Sequence, residues 1–198
     1  MNWINSIIKP EDHYVNRFTD ATVAHPSVLF EKKLINDYGN YSSKRLPEDF
    51  ELWLRWMEKG VKFSKVPEKL LEWTDSPTRH SRVNSNYKTE KFLQVKANYF
   101  ERWYAQANNK TEVWVWGYGH KVFKKAKFFT EAGIKIEGYV DVKSRPDASR
   151  NVISIANLRP EKHQCYLVLI GDRSGKKLIG DYFNIRNFNI GYDYFFMY

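Results

Sequence analysis

The sequence predicts an α/β protein in two parts, with a small parallel sheet in the second part. Residues 112–198 alternate between strand-like and helix-like patterns, whereas residues 1–105 are richer in helical patterns. A polar stretch, AQANNKTE, separates the two regions. Strands and helices that alternate at this spacing favour a parallel sheet with right-handed crossovers. We therefore predict a first domain over 1–105, a linker over 106–111 and a second domain over 112–198.

In the second region, each element follows from its apolar pattern. Strands are predicted in EVWVWG, IKIEGYVD, NVISI, QCYLVLIGD and DYFFMY. The continuous apolar run in QCYLVLIGD is typical of a strand that is buried on both faces. Helices are predicted in HKVFKKAKFFTEAG and SGKKLIGDYFNIRNF. In the first helix, Val122, Ala126 and Phe129 share one face, lysines cover the other, and Gly133 ends the helix.

The first region predicts two main helices and several short elements. PEDFELWLRWMEKG predicts a helix that begins near Pro47 and ends at Gly60. Its apolar face contains Phe50, Trp53, Leu54 and Met57. KTEKFLQVKANYFERWYAQ predicts a long helix with a broad apolar face. HPSVLFEKKLINDYGNY predicts a strand, a short helix and a glycine turn, and VKFSKVPEKLLEWT predicts two short strands around Pro67.

Composition and charge exclude several classes of protein. Of the 198 residues, 42% are hydrophobic and 28% charged, which is typical of a folded globular chain. The net charge of +9 is spread over the chain, and no recognised nucleic-acid motif occurs, so a nucleic-acid partner is disfavoured. No signal peptide is evident, and no apolar run approaches the roughly 20 residues of a membrane span. These features predict a cytoplasmic protein, either free or in peripheral contact with an anionic membrane.

Two adjacent acids, Glu48 and Asp49, begin the apolar helix of the first region. Acids in the first turn of a helix interact favourably with its dipole, by less than about 1 kcal/mol each. This structural explanation needs no chemistry, because many helices begin in this way. The neighbouring motifs favour a chemical explanation.

The string HPSVLF…GNY…PEDFELWLRWMEKG…PEKLLEW resembles the acceptor-side half of family 2 glycosyltransferases. These are inverting enzymes with a nucleotide-binding mixed sheet, and the likeness covers roughly Trp3 to Arg82. The resemblance implies a partial glycosyltransferase-A type fold over the first region. It also implies that Asp49 is the general base that takes the proton of the acceptor hydroxyl. Glu48 would place the acceptor or orient the base.

The same resemblance implies further substrate-binding residues. His25 matches a position near the donor phosphates or a metal ion. Trp53 and Trp56 are candidates for an acceptor wall, with a place in the core as the alternative for both. Arg79, His80 and Ser81 match a loop that closes over the diphosphate, with a solvated basic loop as the alternative.

One departure from the family pattern concerns the donor side. The chain has no Asp-x-Asp, the motif that binds a divalent metal in family 2 enzymes, and the strands that bind the nucleotide do not precede the acceptor half. We therefore expect either a C-terminal fragment or a degenerate protein, which transfers no sugar alone. Manganese or magnesium is expected only together with the missing donor half.

The second region contains a glycine-rich turn between its first strand and first helix. Gly117 and Gly119 follow EVWV, and Asp141 ends the next strand. In nucleotide-binding α/β domains, such glycines allow a tight turn, the helix N-terminus receives phosphate, and the acid binds a ribose. Val122 stands where the full fingerprint has a third glycine. The region resembles Rossmann-like modules appended to bacterial sugar-modifying and glycosyltransferase proteins, which implies either nucleotide binding or a scaffold.

These observations support two function hypotheses. In the first, the chain is part of a glycosyltransferase that moves a sugar from a nucleotide-sugar donor to a surface-polysaccharide or lipid-linked acceptor. In the second, it is a non-enzymatic module that binds a nucleotide or docks to another transferase.

Overall fold

The computed structural model describes residues 2–72, 74, 76–143 and 149–198, except for the side chains of Asn2 and His80. The chain divides into two compact units that are not continuous in sequence. Unit 1 comprises residues 1–17 and 21–95, and unit 2 comprises residues 18–20 and 96–198. No helix among the described residues is long and apolar enough to cross a membrane.

Unit 1 is helical over its described residues. Its helices are α1 (Asn2–Ser6), α2 (Pro10–Val15), α3 (Lys32–Tyr38), α4 (Glu48–Glu58), α5 (His80–Val83) and the start of α6 (Thr89–Gln106). Helix α4 is buried almost all round, because its apolar side chains pack into an aromatic cluster. The buried members of that cluster are Val23, Leu52, Trp53, Trp56 and Met57. The predicted helices α3, α4 and α6 are therefore present.

The short strands predicted in unit 1 are wrong over the described residues, and Trp73, near the end of the last predicted strand, lies outside them. The HPS segment forms a single 3-10 turn, His25–Ser27, and the following residues join no ladder. Residues 61–66 are likewise assigned to no strand. Lys65 N donates to Ile8 O at 3.0 Å, but one backbone bond does not make a ladder. An apolar, β-branched pattern becomes a strand only where a partner edge pairs with it, and the described part of unit 1 offers none.

Unit 2 contains a five-stranded, fully parallel sheet, as the alternating pattern predicts. Its strands are β1 (Glu112–Trp116), β2 (Ile136–Asp141), β3 (Val152–Ser154), β4 (Gln164–Val168) and β5 (Tyr194–Phe196), in the spatial order β3-β2-β1-β4-β5. Helix α7 (His120–Glu131) connects β1 to β2, and α8 (Arg173–Asn184) connects β4 to β5. This is a Rossmann-like α/β fold, in which the strand order reverses between β1 and β4.

The two faces of the sheet have separate cores. Strand β4 is buried at every residue, which explains its continuous apolar run. One face packs against Ile179 and Phe183 of α8. The other face includes Phe195, which contacts Phe100 of α6 with ring centroids 5.2 Å apart. Phe18, from the short 18–20 segment, packs edge-on against the same two rings.

The Trp114 ring and the Asn151 carbonyl oxygen leave no room for a side chain at position 138. Trp114 of β1 pairs in register with Gly138 of β2. A Cβ atom at this position would lie 2.5 Å from Trp114 Cζ3 and 2.7 Å from Asn151 O. Any side chain would therefore push the Trp114 ring out of the face that packs on α8.

The single cysteine lies in the buried strand β4. Cys165 has no exposed surface, and burial raises the pKa of its thiol to about 12. The thiol therefore stays protonated at neutral pH and behaves as a small apolar side chain.

Candidate functional site

The two acids of unit 1 lie in the first turn of α4. Pro47 precedes the helix in an extended backbone conformation, and Glu48 and Asp49 are the first two residues of the helix. Asp49 Oδ1 accepts a hydrogen bond from Phe50 N at 2.8 Å. This bond fixes one carboxylate oxygen on the helix terminus and directs the other, Oδ2, away from it. The rigid helix terminus therefore presents a single acceptor oxygen.

Asp49 Oδ2 faces the imidazole of His25. Oδ2 lies 3.9 Å from His25 Nδ1, and the side chains are 17% and 40% exposed, respectively. The other ring nitrogen, Nε2, is 2.8 Å from the hydroxyl of Tyr41, and the tautomer decides which of these two atoms donates. Tyr41 and His25 are thus hydrogen-bonded, and the Asp49 carboxylate lies on the other side of the imidazole, beyond hydrogen-bond distance.

Arg55 of α4 fixes the turn that carries Tyr41. Its guanidinium donates to Tyr38 O and, at 2.7 Å, to Asn40 O. It also pairs with Glu51 one turn earlier, with 3.1 Å between Nε and Oε1. The turn after α3 is therefore tied to the helix that holds Asp49, which positions the Tyr41 hydroxyl for His25.

Glu48 has a partner that Asp49 lacks. Its Oε1 accepts a hydrogen bond of 2.6 Å from the hydroxyl of Tyr87, just before α6. Burial raises the pKa of Tyr87, and the bond to Glu48 raises it further, so the phenol stays protonated and keeps donating. Glu48 is therefore held in place, whereas Asp49 Oδ2 faces an imidazole at a distance too long for a hydrogen bond.

The electrostatics of the site favour a proton acceptor at Asp49. Burial raises the pKa of Asp49, and the negative charge of Glu48 adds to this. The bond from Phe50 N and the charge of His25 lower the pKa in part, but the net direction is upward. A carboxylate with a raised pKa is a stronger base than an ordinary exposed aspartate.

The other residues predicted for unit 1 lie in different surroundings. Trp53 is 2% exposed, and its ring meets that of His25 edge-on at 5.9 Å, which favours a supporting role over direct contact with an acceptor. Arg79 lies half-buried just before α5. His80 begins α5, and its side chain lies outside the described residues. Ser81 lines an open, polar cavity of ≈ 540 Å³, which Tyr87 also lines.

The sequence interpretation missed Tyr41 and Tyr87. Tyr41 stands beside the glycine turn that helped to suggest the family resemblance, so its position was the available signal. Tyr87 lies in SNYK, a polar segment with no pattern of its own. Tyr41 contacts His25, 16 residues away, and Tyr87 contacts Glu48, 39 residues away, and local patterns do not encode such contacts.

In unit 2, the structure brings the predicted glycines and Asp141 to the same edge of the sheet. Gly117 and Gly119 have φ of +114° and +123°, and Gly119 is the N-cap of α7. Asp141 ends β2, next to β1, and its Oδ1 accepts a hydrogen bond from Val142 N at 2.6 Å. Val122 fills the space behind the turn: its Cγ2 would lie 3.1 Å from a Cβ atom on Gly117.

Replacing Gly117 with alanine should destabilise unit 2 more than the same change at Gly133. Both glycines have positive φ, but an added Cβ on Gly117 would also lie 3.0 Å from Ile170 Cγ2, whereas Gly133 has nothing within 4 Å. We expect a loss of about 2–3 kcal/mol for Gly117→Ala and about 1 kcal/mol for Gly133→Ala. Urea unfolding measures both, and equal losses would show that the turn has room for a side chain.

Within the part of the chain that the structure describes, no group of three His, Cys, Asp or Glu side chains could hold a metal ion. Comparisons of the chain with protein-family models, with curated proteins and with solved structures found no match.

Proposed function

We propose that this chain supplies the acceptor side of an inverting glycosyltransferase, which moves a sugar from a nucleotide-sugar to a surface-polysaccharide or lipid-linked acceptor. The observation that carries the proposal is Asp49: a carboxylate with a raised pKa, fixed on a helix terminus and facing His25. The family resemblance over Trp3–Arg82 supports the same assignment.

In this proposal, each group has a role around the acceptor hydroxyl. An inverting transfer needs one general base, which takes the proton of the acceptor hydroxyl as that oxygen attacks the sugar. Asp49 Oδ2 is the proposed base, since Oδ1 is engaged by Phe50 N. His25, fixed by Tyr41, borders the carboxylate at 3.9 Å. Glu48, anchored by Tyr87, borders the acceptor without taking the proton.

The donor nucleotide-sugar is not assigned to any residue of unit 1. The described residues do not supply a carboxylate set suited to a divalent ion, so we derive no step through a metal. In this proposal unit 1 contributes the acceptor site and the base, and the donor site is left unassigned.

The test is a transfer assay in the complete enzyme, with UDP-, GDP- and dTDP-sugars as donors, oligosaccharide or lipid-linked acceptors, and manganese. Transfer that depends on the Asp49 carboxylate supports the assignment. Full transfer by Asp49→Asn would exclude it.

A second candidate function is a nucleotide-binding or docking module without catalysis. The observation that favours it is the Rossmann-like sheet of unit 2, with two positive-φ glycines before α7 and Asp141 at the end of the neighbouring strand. At that edge, the Asp141 carboxylate would accept a hydrogen bond from a ribose hydroxyl, and the N-terminus of α7 would bind the phosphate.

Calorimetric titration tests this second candidate. The chain is titrated with UDP-, GDP- and dTDP-sugars and with NAD(P), with and without manganese. Asp141→Ala is expected to weaken binding about tenfold, because it removes a charged hydrogen-bond acceptor. Asp181→Ala, at an exposed position on α8, is the matched control. No binding by the unmodified chain, or equal losses in both variants, would contradict the nucleotide site and leave docking as the module's role.

A further inference from the structure

Two lysines of unit 2 place their ammonium groups at the carboxyl ends of neighbouring strands. Lys125 of α7 donates from Nζ to Leu169 O, directly after β4, at 2.9 Å. Lys96 of α6 donates from Nζ to Met197 O, directly after β5, at 3.1 Å, and to Thr19 O at 3.0 Å. Strands β4 and β5 are paired, and parallel strands lie about 4.8 Å apart. Both ammonium groups therefore lie at the carboxyl-terminal edge of the sheet.

A third lysine reaches the same edge from the opposite face of the sheet. Lys176 lies in the first turn of α8, and its Nζ is 5.8 Å from the centroid of the Phe196 ring at the end of β5. Helices α7 and α8 cover opposite faces, because their crossovers run in opposite directions from the β1/β4 boundary. We call Lys96, Lys125 and Lys176 the lysine edge.

The charges of the lysine edge repel one another. Burial lowers the pKa of Lys125, and the charges of Lys176 and Lys121 lower it further. Burial also lowers the pKa of Lys176, where Asp20 acts in the opposite direction and Arg173 in the same one. Burial lowers the pKa of Lys96 to about 8. The charge of Asp20 raises this pKa in part, and the charges of Lys176 and Lys125 lower it further. Asp20 thus acts on Lys96 and Lys176, whereas the charges that act on Lys125 are those of Lys176 and Lys121.

Asp172 lies at the start of α8, near Lys176. Its Oδ2 accepts a hydrogen bond from Gly175 N at 2.6 Å, which caps α8. The edge also lies beside the β1/β4 boundary, where the strand order reverses and a crevice opens in Rossmann-like sheets. A bound anion would relieve the repulsion and would meet ammonium groups from both faces of the sheet.

We infer that the lysine edge binds a diphosphate group, with Lys125 and Lys176 as its direct contacts and Lys96 as buried support. Ammonium groups suit phosphate oxygens because they act as compact point charges with three donors each. This site uses different residues from the Gly117, Gly119 and Asp141 turn. It does not depend on sugar transfer, so it can fail or stand separately from the proposed function.

Calorimetric titration of the chain with inorganic pyrophosphate at low salt and neutral pH tests the inference. Lys125→Gln and Lys176→Gln are each expected to weaken binding about tenfold, which is the loss of one charged contact. The matched controls are Lys127→Gln on α7 and Lys177→Gln on α8, both at exposed positions. Each control changes the net charge equally and should shift affinity by less than about twofold, since exposed charges are screened.

Two results would overturn the inference directly: no heat with millimolar pyrophosphate, or equal losses of affinity in the variants and the controls. A third would be the same loss of affinity in Lys125→Gln and Lys176→Gln when sulfate at matched ionic strength replaces pyrophosphate, because that would indicate a diffuse positive field. Circular dichroism and thermal melting check that each variant folds, and Lys176→Gln alone decides if Lys125→Gln does not fold.

UDP as a second probe identifies the source of the diphosphate. Tighter binding of UDP than of pyrophosphate, lost in Lys176→Gln, assigns the site to a nucleotide. Equal or weaker binding of UDP assigns it to a diphosphate that carries no nucleoside contact. Competition between the two probes is required in both cases, and independent binding would contradict a shared site.

Discussion

Asp49→Asn is expected to reduce sugar transfer in the complete enzyme by about 10²–10⁴-fold, the usual contribution of a general base. The amide oxygen of asparagine can still accept the bond from Phe50 N, so the helix terminus keeps its geometry. The amide cannot take up a proton at neutral pH, so only the proton transfer is lost. Donor binding should therefore stay within a few-fold of the unmodified enzyme.

The pH profile gives a second readout of the same residue. A base acts in its ionised form, so transfer should fall as the pH drops through the pKa of Asp49. That pKa is raised above 3.8, so the acid limb should lie at higher pH than for an exposed aspartate. His25→Ala removes a charge that lowers this pKa, and it should move the limb further upward.

Asp37→Asn is the matched control for Asp49→Asn. Asp37 is an aspartate of the same unit, 41% exposed, with Lys33 Nζ at 3.9 Å. Its replacement should leave transfer unchanged. Normal turnover of Asp49→Asn, or an equal loss in Asp37→Asn, would remove Asp49 from the mechanism.

Asp193→Leu is expected to destabilise unit 2 by about 3–5 kcal/mol, because it leaves a buried ammonium group without its counter-charge. Lys110 and Asp193 are only 4% and 8% exposed, and Lys110 Nζ lies 2.6 Å from Asp193 Oδ1. Lys110 also donates to Lys162 O and Gln164 O. These carbonyls retain the ammonium group but cannot neutralise it.

The double variant Lys110→Met/Asp193→Leu separates the pair from its environment. Replacing both charges with apolar side chains of similar size removes the buried ammonium, so much of the lost stability should return. Urea unfolding of the unmodified protein, both single variants and the double variant completes the cycle. Additive losses would show that the two residues do not act as a pair.

Glu137→Gln is the control for this cycle. It breaks an ion pair of similar length, 2.8 Å to Lys135 Nζ, but that lysine is 83% exposed. The unfolding midpoint should hardly change, because exposed pairs contribute little. A shift comparable to that of Asp193→Leu would contradict the importance of burial.

The same pair predicts how unit 2 responds to acid. Burial alone would raise the pKa of Asp193, but hydrogen bonds from Lys110 and Asn189 N hold it below 3.8. A carboxylate with a lowered pKa contributes its full stability above the unfolded value of 3.8. That contribution is lost as the pH falls through the folded pKa, and the Asp193→Leu variant should lack this part of the acid response.

The sequence predicted the strands and helices of residues 112–198 but only part of unit 1, for a physical reason. In unit 2, apolar runs of period two and 3.6 match β1, α7 and the start of β4 within a residue or two, because each element buries its face locally. In unit 1, residues 61–66 carry a strand-like pattern without a partner edge. A sequence pattern shows that a segment is able to form a strand, but the segment forms one only where a neighbouring strand pairs with it.

The candidate sites show the same limit. Asp49, Glu48 and His25 came from adjacent acids and a family resemblance, and the structure brings all three together. The sequence did not predict a role for Tyr87, because that role follows from a contact with Glu48, 39 residues away. Lys110 lay in a polar stretch that predicts a linker, and its burial follows from long-range contacts with Gln164 and Asp193.

The short segment 18–20, which belongs to unit 2 although unit 1 surrounds it in sequence, constrains the order of folding. Phe18 packs against Phe195, its partner almost at the other end of the chain, with ring centroids 5.8 Å apart. Such a contact closes a very long loop, which slows folding. The contact stabilises the fold only after both residues have been synthesised. On the ribosome, the core of unit 2 therefore stays incomplete until β5 emerges.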